Sequence, residues 1–358
     1  VLSELLVIFL GFAAVLASYV LTIQVERKAS RLGLVKAANE RSSHIVPTAR
    51  GGGLGLAIVG VIGCLTFASV GSPILALVGV LGAVIAAIGF VDDLLEVSVA
   101  TRLAVQSAVV IALVAGVELF LAERSLSLTI ARLCVLGAVV LAGIWWVNAF
   151  NFMDGIDGIA ASQAVLVLAG GMAIWLCTDR NAADYPMFGA IGIIVAATCG
   201  FLLRNWPPAK IFMGDIGSTF LGLMILAVAL ITVKLGALSW VAWLILLSVF
   251  AADSMITLVR RTLRGERPWR AHRRHAYQQL ARRWGHRNVT VLYSALTCIW
   301  ALPLAAASSI VTPTVSLWLP LVAYVPLGVL FLWAGAGARD EFQGQAAGAI
   351  TVPADHVE

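Results

Sequence analysis

The feature that most constrains this chain is a succession of apolar runs broken only by short polar connections. A helix that crosses a bilayer needs about 20 mainly apolar residues. Eleven stretches qualify, at about 2–23, 52–70, 73–91, 102–122, 132–150, 159–177, 187–203, 217–235, 239–259, 291–309 and 315–334. The chain is 61% hydrophobic and 12% charged, against about half and a quarter in a soluble domain. The expected fold is therefore all-α: a polytopic integral membrane protein with about 11 transmembrane helices. The first run has span length and no basic region before it, so it reads as a span and not as a cleavable signal peptide. The five cysteines lie far apart in or at apolar runs, with no metal-ligand spacing, and read as packing residues.

Lysine and arginine in the loops set the orientation. Twenty of the 24 fall in odd-numbered connections or the C-terminal tail, and only Arg124, Arg132, Arg180 and Lys234 fall in even-numbered ones. The N-terminus is thus expected outside, with loops at about 24–51, 92–101, 148–158, 204–216 and 260–290 in the cytoplasm. Residues 1–337 form one transmembrane domain in this reading, and 338–358, short and rich in Gly and Ala, a disordered cytoplasmic tail.

The same cytoplasmic loops hold the polar motifs. Asn148-Ala149-Phe150-Asn151-Phe152-Met153-Asp154-Gly155-Ile156-Asp157-Gly158 sets two Asn and two Asp between apolar runs. Carboxylates at a bilayer edge are costly unless a metal or a polar substrate uses them. If the middle of this segment is helical, Asp154 and Asp157 share a face. Asp92-Asp93 ends a long apolar run, where the helix dipole disfavours anions, which points to function over structure. Pro47-Thr48-Ala49-Arg50-Gly51-Gly52-Gly53 offers a turn with exposed backbone N–H groups beside Arg50, suited to an anion; an ordinary flexible helix entry is the competing reading. Gly214-Asp215-Ile216-Gly217-Ser218 puts a carboxylate and backbone donors at a helix start, suited to phosphate with a divalent ion. Asp253, on the order of 10 Å inside a span, is expected to pair with an Arg or face a polar cavity. The basic loop from Arg260 to Arg287 holds His272, Arg274 and His275. It could be a topology anchor or a lipid-binding surface, but Arg with His suits mono- and diphosphates, and zinc is disfavoured there.

These groups together ask for Mg²⁺ and a phosphorylated substrate at the membrane face. Val91-Asp92-Asp93-Leu94, the Asn148 to Gly158 segment, Phe212 to Ser218, Pro47-Thr48 to Gly52 and the His/Arg loop resemble, in order, the signatures of the polyprenyl-phosphate N-acetylhexosamine-1-phosphate transferases. The resemblance spans about residues 40 to 290. It implies transfer of N-acetylhexosamine-1-phosphate from a UDP-N-acetylhexosamine to undecaprenyl phosphate, giving the lipid-diphosphate sugar and UMP. It implies Mg²⁺, with Mn²⁺ able to substitute, and no nucleic acid. A homodimer is compatible with it. By this resemblance Asp92, Asp93 and Asp215 are catalytic, with Asp92 or Asp93 a candidate base near the lipid phosphate. Asp215 and Asp154 resemble metal ligands. Thr48, Arg50, Asn148, Asn151, Asp154, Asp157, Ser218, His272, Arg274 and His275 resemble substrate-binding residues, with Asn151, Asp154 and Asp157 on the nucleotide side and the histidines at the diphosphate. The site is expected in a cytoplasm-facing cleft of the inner (plasma) membrane, floored by spans 3, 5, 8 and 9.

One departure bears on the branch. The family's loop often reads His-x-His-His or His-His-His, whereas here it is His272-Arg273-Arg274-His275. That disfavours the branch that uses UDP-N-acetylmuramoyl-pentapeptide and fits initiation of O-antigen or related surface polysaccharide, with the hexosamine left open. Peptidoglycan or teichoic acid synthesis by the same chemistry is the nearest alternative. A transporter with an acidic relay is the alternative of a different class, disfavoured because its charges would sit near mid-bilayer.

Overall fold

A computed structural model describes residues 4–35, 49–95, 97–121, 129–267 and 272–338. Thr48 and residues 339–358 of the expected tail lie outside these. The described residues form helices α1 (Glu4–Lys28), α2 (Gly53–Ala68), α3 (Pro73–Leu95), α4 (Val99–Leu121), α5 (Ile130–Phe152), α6 (Ile159–Thr178), α7 (Pro186–Asn205) and α8 (Gly214–Lys234). They continue as α9 (Trp240–Leu246), α10 (Ser248–Leu263), α11 (Ala276–Ala295), α12 (Leu302–Ala307), α13 (Pro313–Ser316) and α14 (Leu319–Trp333). No strand occurs among them, only isolated bridges Val35–Ala49 and Ala49–Ile211.

Local chemistry sets the boundaries. Thr129 caps α5 by accepting from Arg132 N at 3.3 Å, and Ser239 caps α9 by accepting from Ala242 N at 3.0 Å. Pro73 and Pro186 open α3 and α7, where a missing N–H costs nothing. Gly285, with φ of +77°, kinks α11, so its first turns run separately from the span that follows.

Nine helices among the described residues are long and apolar enough to cross a membrane, and ten if α9 and α10 are one broken span. The second of the eleven expected stretches, 52–70, yields only the 16-residue α2, about 24 Å of helix against a hydrocarbon core of about 30 Å. The expected run at 239–259 is bent by 70° between Leu246 and Ser248.

The bundle is built around α8, the most buried span, with α2, α3, α4 and α5 against it. Small residues permit that approach: a Cβ on Gly53 would stand 2.3 Å from Gly217 Cα. Within a membrane such close contact supplies the dispersion energy that holds helices together. At the outside, α1 presents Ile8, Phe9 and Phe12, as expected of a lipid-facing surface. The consequence for function is that the C-terminal ends of α3 and α5 and the N-terminal end of α8 meet at one end of the bundle.

Candidate active site

Asp215 is the hub of that end. It lies in the first turn of α8, and both carboxylate oxygens are engaged from other helices. Oδ1 accepts from Asn151 Nδ2 at 3.1 Å, and Oδ2 accepts from Arg102 at 3.1 Å. Asn151 also donates to Ser218 Oγ at 2.8 Å, so the last turn of α5 reads both polar side chains of the α8 start. Arg102 reaches further and donates to Asp92 Oδ2 at 2.8 Å, while Asp92 Oδ1 accepts from Val97 N at 2.7 Å. One guanidinium therefore bridges Asp92 and Asp215. Arg102 counted in the sequence only toward orientation; its place in the first turn of the helix that follows Asp92-Asp93 is the signal that could have marked it.

Asp93 does something different from its neighbour. It is buried, and Oδ2 accepts from Ile216 N at 3.3 Å, against the positive end of the α8 dipole. That resolves the anion at the end of α3: α8's N-terminus offsets what α3's C-terminus disfavours. Gly214 makes this possible, since it adopts φ of +76° and a Cβ there would lie 2.3 Å from Asp93 Oδ2. The backbone donors expected to be open for phosphate at the α8 start thus include one already used by Asp93.

The glycine turn at 51–53 also departs from expectation. Gly52 N donates to Phe212 O and Gly53 N to Met213 O, both at 2.9 Å, and all three glycines are buried. These N–H groups dock the α2 entry onto the 211–213 segment and do not form an exposed anion cradle. Arg50 beside them is close enough to Asp154 to favour that group's charged form.

Residues 153–158 are not helical, because α5 ends at Phe152, so Asp154 and Asp157 do not share a helix face. Asp154 is half-buried beside the hub. Burial, then the charges of Asp215, Asp93 and Asp157, push its carboxyl up to about 8 despite Arg50. Asp157 is buried: Oδ2 accepts from Ala209 N at 2.9 Å and Oδ1 lies 3.2 Å from His286 Nδ1. Its carbonyl accepts from Thr290 Oγ1 at 2.7 Å, so this residue ties the 206–213 segment and α11 together. Asn148 sits one turn before Asn151 and donates back to Ile144 O at 2.8 Å.

The basic loop forms a second cluster. Glu266 joins Arg261, at 3.0 Å, to Arg274, at 2.6 Å, and against the opposing effect of burial these guanidiniums hold its carboxyl below the ordinary value. The rings of His272 and His275 lie 4.9 Å apart. Burial, then the charges of His275, Arg261 and Arg274, take His272 down to about 3, so it offers hydrogen bonds and no charge at neutral pH. Asp253, expected to pair with an arginine or face a polar cavity, is tied to the start of α11. Fully buried, it accepts from Ala276 N at 2.8 Å, Tyr277 N at 3.0 Å and Tyr293 OH at 2.7 Å. Tyr277 links the two clusters by donating to Phe152 O at 2.9 Å, two residues before Asp154.

The chain matches the family model described as glycosyl transferase family 4 over residues 75–233, which include α3, α5, α8 and their acids. It is 31% identical over 342 residues to the decaprenyl-phosphate N-acetylglucosaminephosphotransferase of Mycobacterium tuberculosis (strain CDC 1551 / Oshkosh), covering 84% of this chain and 81% of that protein. A probable undecaprenyl-phosphate N-acetylglucosaminyl 1-phosphate transferase of Bacillus subtilis (strain 168) is 29% identical, with 86% and 85% covered. The undecaprenyl-phosphate alpha-N-acetylglucosaminyl 1-phosphate transferase of Escherichia coli (strain K12) is 30% identical, with 71% of each chain covered. With the ordered motifs gathered at one end of a helical bundle, this similarity along most of both lengths makes the chain a multi-pass membrane enzyme of glycosyl transferase family 4.

Proposed function

We propose that the protein transfers N-acetylglucosamine-1-phosphate from UDP-N-acetylglucosamine to a polyprenyl phosphate, releasing UMP and forming the first lipid-linked sugar of a surface polysaccharide. The observation that carries the reading is the meeting at Asp215 of Asn151 from α5 and of Arg102, which also holds Asp92 of α3, joined through Tyr277 to a histidine–arginine loop. A site with carboxylates on one side and Arg and His on the other suits a diphosphate donor and a phosphate acceptor. The choice of N-acetylglucosamine rests on the relatives, whose names all carry that sugar. The cytoplasmic side of the plasma membrane follows from the lysine and arginine excess in the loops that form the site.

Mg²⁺ is part of this proposal. Among the described residues no three His, Cys, Asp or Glu side chains are grouped to hold a metal by themselves. Magnesium does not ask for that: it takes one or two carboxylates, water and substrate phosphates. Asp215 and Asp154 fit as those carboxylates. Support comes from the crowding of negative charge around Asp154, which a divalent ion would relieve. When bound, the ion would neutralise the diphosphate and polarise the phosphorus under attack.

The chain's own residues then divide the work. A lipid phosphate oxygen forms a bond to the β-phosphorus, the bridge to the α-phosphate breaks, and UMP leaves with that electron pair. Asp92 is less buried than Asp93, its side chain 10% exposed beside Arg102, so of the pair it is the one assigned to take the last proton of the lipid phosphate. Asp93 is buried against α8 and positions Asp215. Arg274 and the neutral His272 orient the diphosphate. The direct test is UMP release by the purified protein in detergent with polyprenyl phosphate and Mg²⁺. Release that needs both lipid and UDP-N-acetylglucosamine is the expected result, and release with a different UDP-sugar alone would overturn the donor assignment.

A further inference from the structure

We infer that Asp253 is a positioning residue for this reaction: through Tyr277 it fixes the spacing between the histidine–arginine loop and the turn that carries Asp154. The inference rests on the functional reading above.

Four donors converge on this one side chain. Oδ1 accepts from Ala276 N at 2.8 Å and from Thr257 Oγ1 at 3.2 Å. Oδ2 accepts from Tyr277 N at 3.0 Å and from Tyr293 OH at 2.7 Å. The two amides belong to the first turn of α11, where N–H groups lack partners within the helix and the dipole favours an anion. Here the anion comes from the middle of α10. Where α11 starts is thus set by a carboxylate 23 residues earlier in the chain. His275, the residue just before α11, is buried, with Nδ1 at 3.6 Å from Asp253 Oδ1. That is too long for a hydrogen bond, so the hold of Asp253 on this end of the loop runs through the two amides.

The other end of the linkage is as tightly defined. The Tyr277 ring stacks on His275, with centroids 5.7 Å apart. Its hydroxyl donates to Phe152 O at 2.9 Å, and a Cβ on Gly155 would lie 2.1 Å from that hydroxyl oxygen. The phenol therefore presses on the backbone on both sides of Asp154. Both Asp253 and Tyr277 are 0% exposed, so neither can touch a substrate, and their effect must pass through the groups they hold. An isolated buried carboxylate is costly, and this one carries enough donors to be kept only in this arrangement.

The test compares the full-length protein with Asp253→Asn, Tyr277→Phe and the double variant in detergent. Asp253→Asn keeps the shape and turns one acceptor into a donor that faces other donors. Tyr277→Phe keeps the ring and removes the link to Phe152. Each single change should raise KM for the UDP-sugar about tenfold and leave KM for polyprenyl phosphate within about twofold. The double variant should be no worse than about the worse single, because both changes cut one linkage. Amide exchange across 272–279 should speed up about tenfold or more in Asp253→Asn, with α8 unchanged. Unchanged exchange and KM in Asp253→Asn would overturn the inference. So would effects that multiply in the double variant, or equal rises in both KM values with a general loss of thermal stability. If Asp253→Asn does not fold, the KM split in Tyr277→Phe decides alone. A wild-type protein that releases no UMP would sink the functional reading, while the exchange comparison would still judge the linkage.

Discussion

The two halves of the site are held in different ways. The acidic half is assembled from helix ends: α3 and α8 meet through Asp93 and Ile216, α5 reaches Asp215 and Ser218 through Asn151, and α2 lies against α8 with no room for a Cβ between Gly53 and Gly217. The basic half, between α10 and α11, is held by polar ties: the side chain of Asp253 on the start of α11, that of Glu266 between two arginines, and the backbone bond from Gly337 N to Arg274 O at 2.7 Å. On the acidic side the α2–α8 backbone contact adds a position fixed by excluded volume. Polar ties fix position only while each partner is present. The acidic half should therefore fail by misfolding or by loss of chemistry, and the basic half by loosened substrate binding.

The largest effect expected is at the packed side. Gly53→Ala would drive a methyl into the α8 backbone, where no side chain can move aside. Overpacking costs about 1–3 kcal/mol where neighbours can adjust, and a backbone clash should reach or exceed the top of that range. Folded yield and thermal midpoint in detergent report it; a normal midpoint would mean that α2 is not fixed as described.

Next is Asp215→Asn. It keeps the shape that Asn151 and Arg102 hold and removes one charge from the hub. Turnover should fall about 1,000-fold, the equivalent of roughly 4 kcal/mol in the barrier, with the fold intact. Near-normal Mg²⁺-dependent turnover would show that the hub is not where the chemistry happens.

On the basic side, Arg274→Ala releases Glu266 from one of its two partners. The expected change is a rise of about tenfold in KM for the UDP-sugar with kcat little changed. A fall in kcat alone would place this arginine with the acidic half and erase the contrast between the two.

A last expected effect, on stability and not on turnover, is on pH dependence. Asp154 is raised from 3.8 to about 8, so the folded, metal-free protein holds its proton more tightly than the unfolded chain. Its contribution to stability is full below about pH 4 and is lost as pH rises through about 8. His272 runs the other way: lowered from 6.5 to about 3, it costs stability as pH falls through that window. Thermal midpoints with a chelator present should show Asp154→Asn flattening the upper limb and His272→Gln the lower. An Asp154→Asn protein with the wild-type upper limb would show that Asp154 is not the titrating group.

Much of this was legible in the sequence, and the gaps have a common cause. The apolar runs located the helices, and loop charge placed the acids and the basic loop on one side, where contacts such as Ala209 N to Asp157 and Tyr277 OH to Phe152 bring them together. The bend between α9 and α10 left no mark, since Leu246-Leu247-Ser248 contains neither Gly nor Pro. Gly52 and Gly53 looked like open donors because their acceptors, Phe212 and Met213, lie about 160 residues later in the chain. Asp253 looked like an arginine's partner or a cavity residue for the same reason: three of its four donors are on the far side of the basic loop. Residue types announced that polar groups would be needed; which of them would serve the fold depended on partners that only folding brings near.

The measurement that bears most directly on the central claim is UMP release by the purified protein, with UDP-sugars offered one at a time beside polyprenyl phosphate and Mg²⁺. The account predicts release with UDP-N-acetylglucosamine that stops when the lipid or the metal is withheld, and that Asp215→Asn lowers about 1,000-fold. Release that continues without lipid phosphate, or none from folded protein with any UDP-sugar, would contradict it.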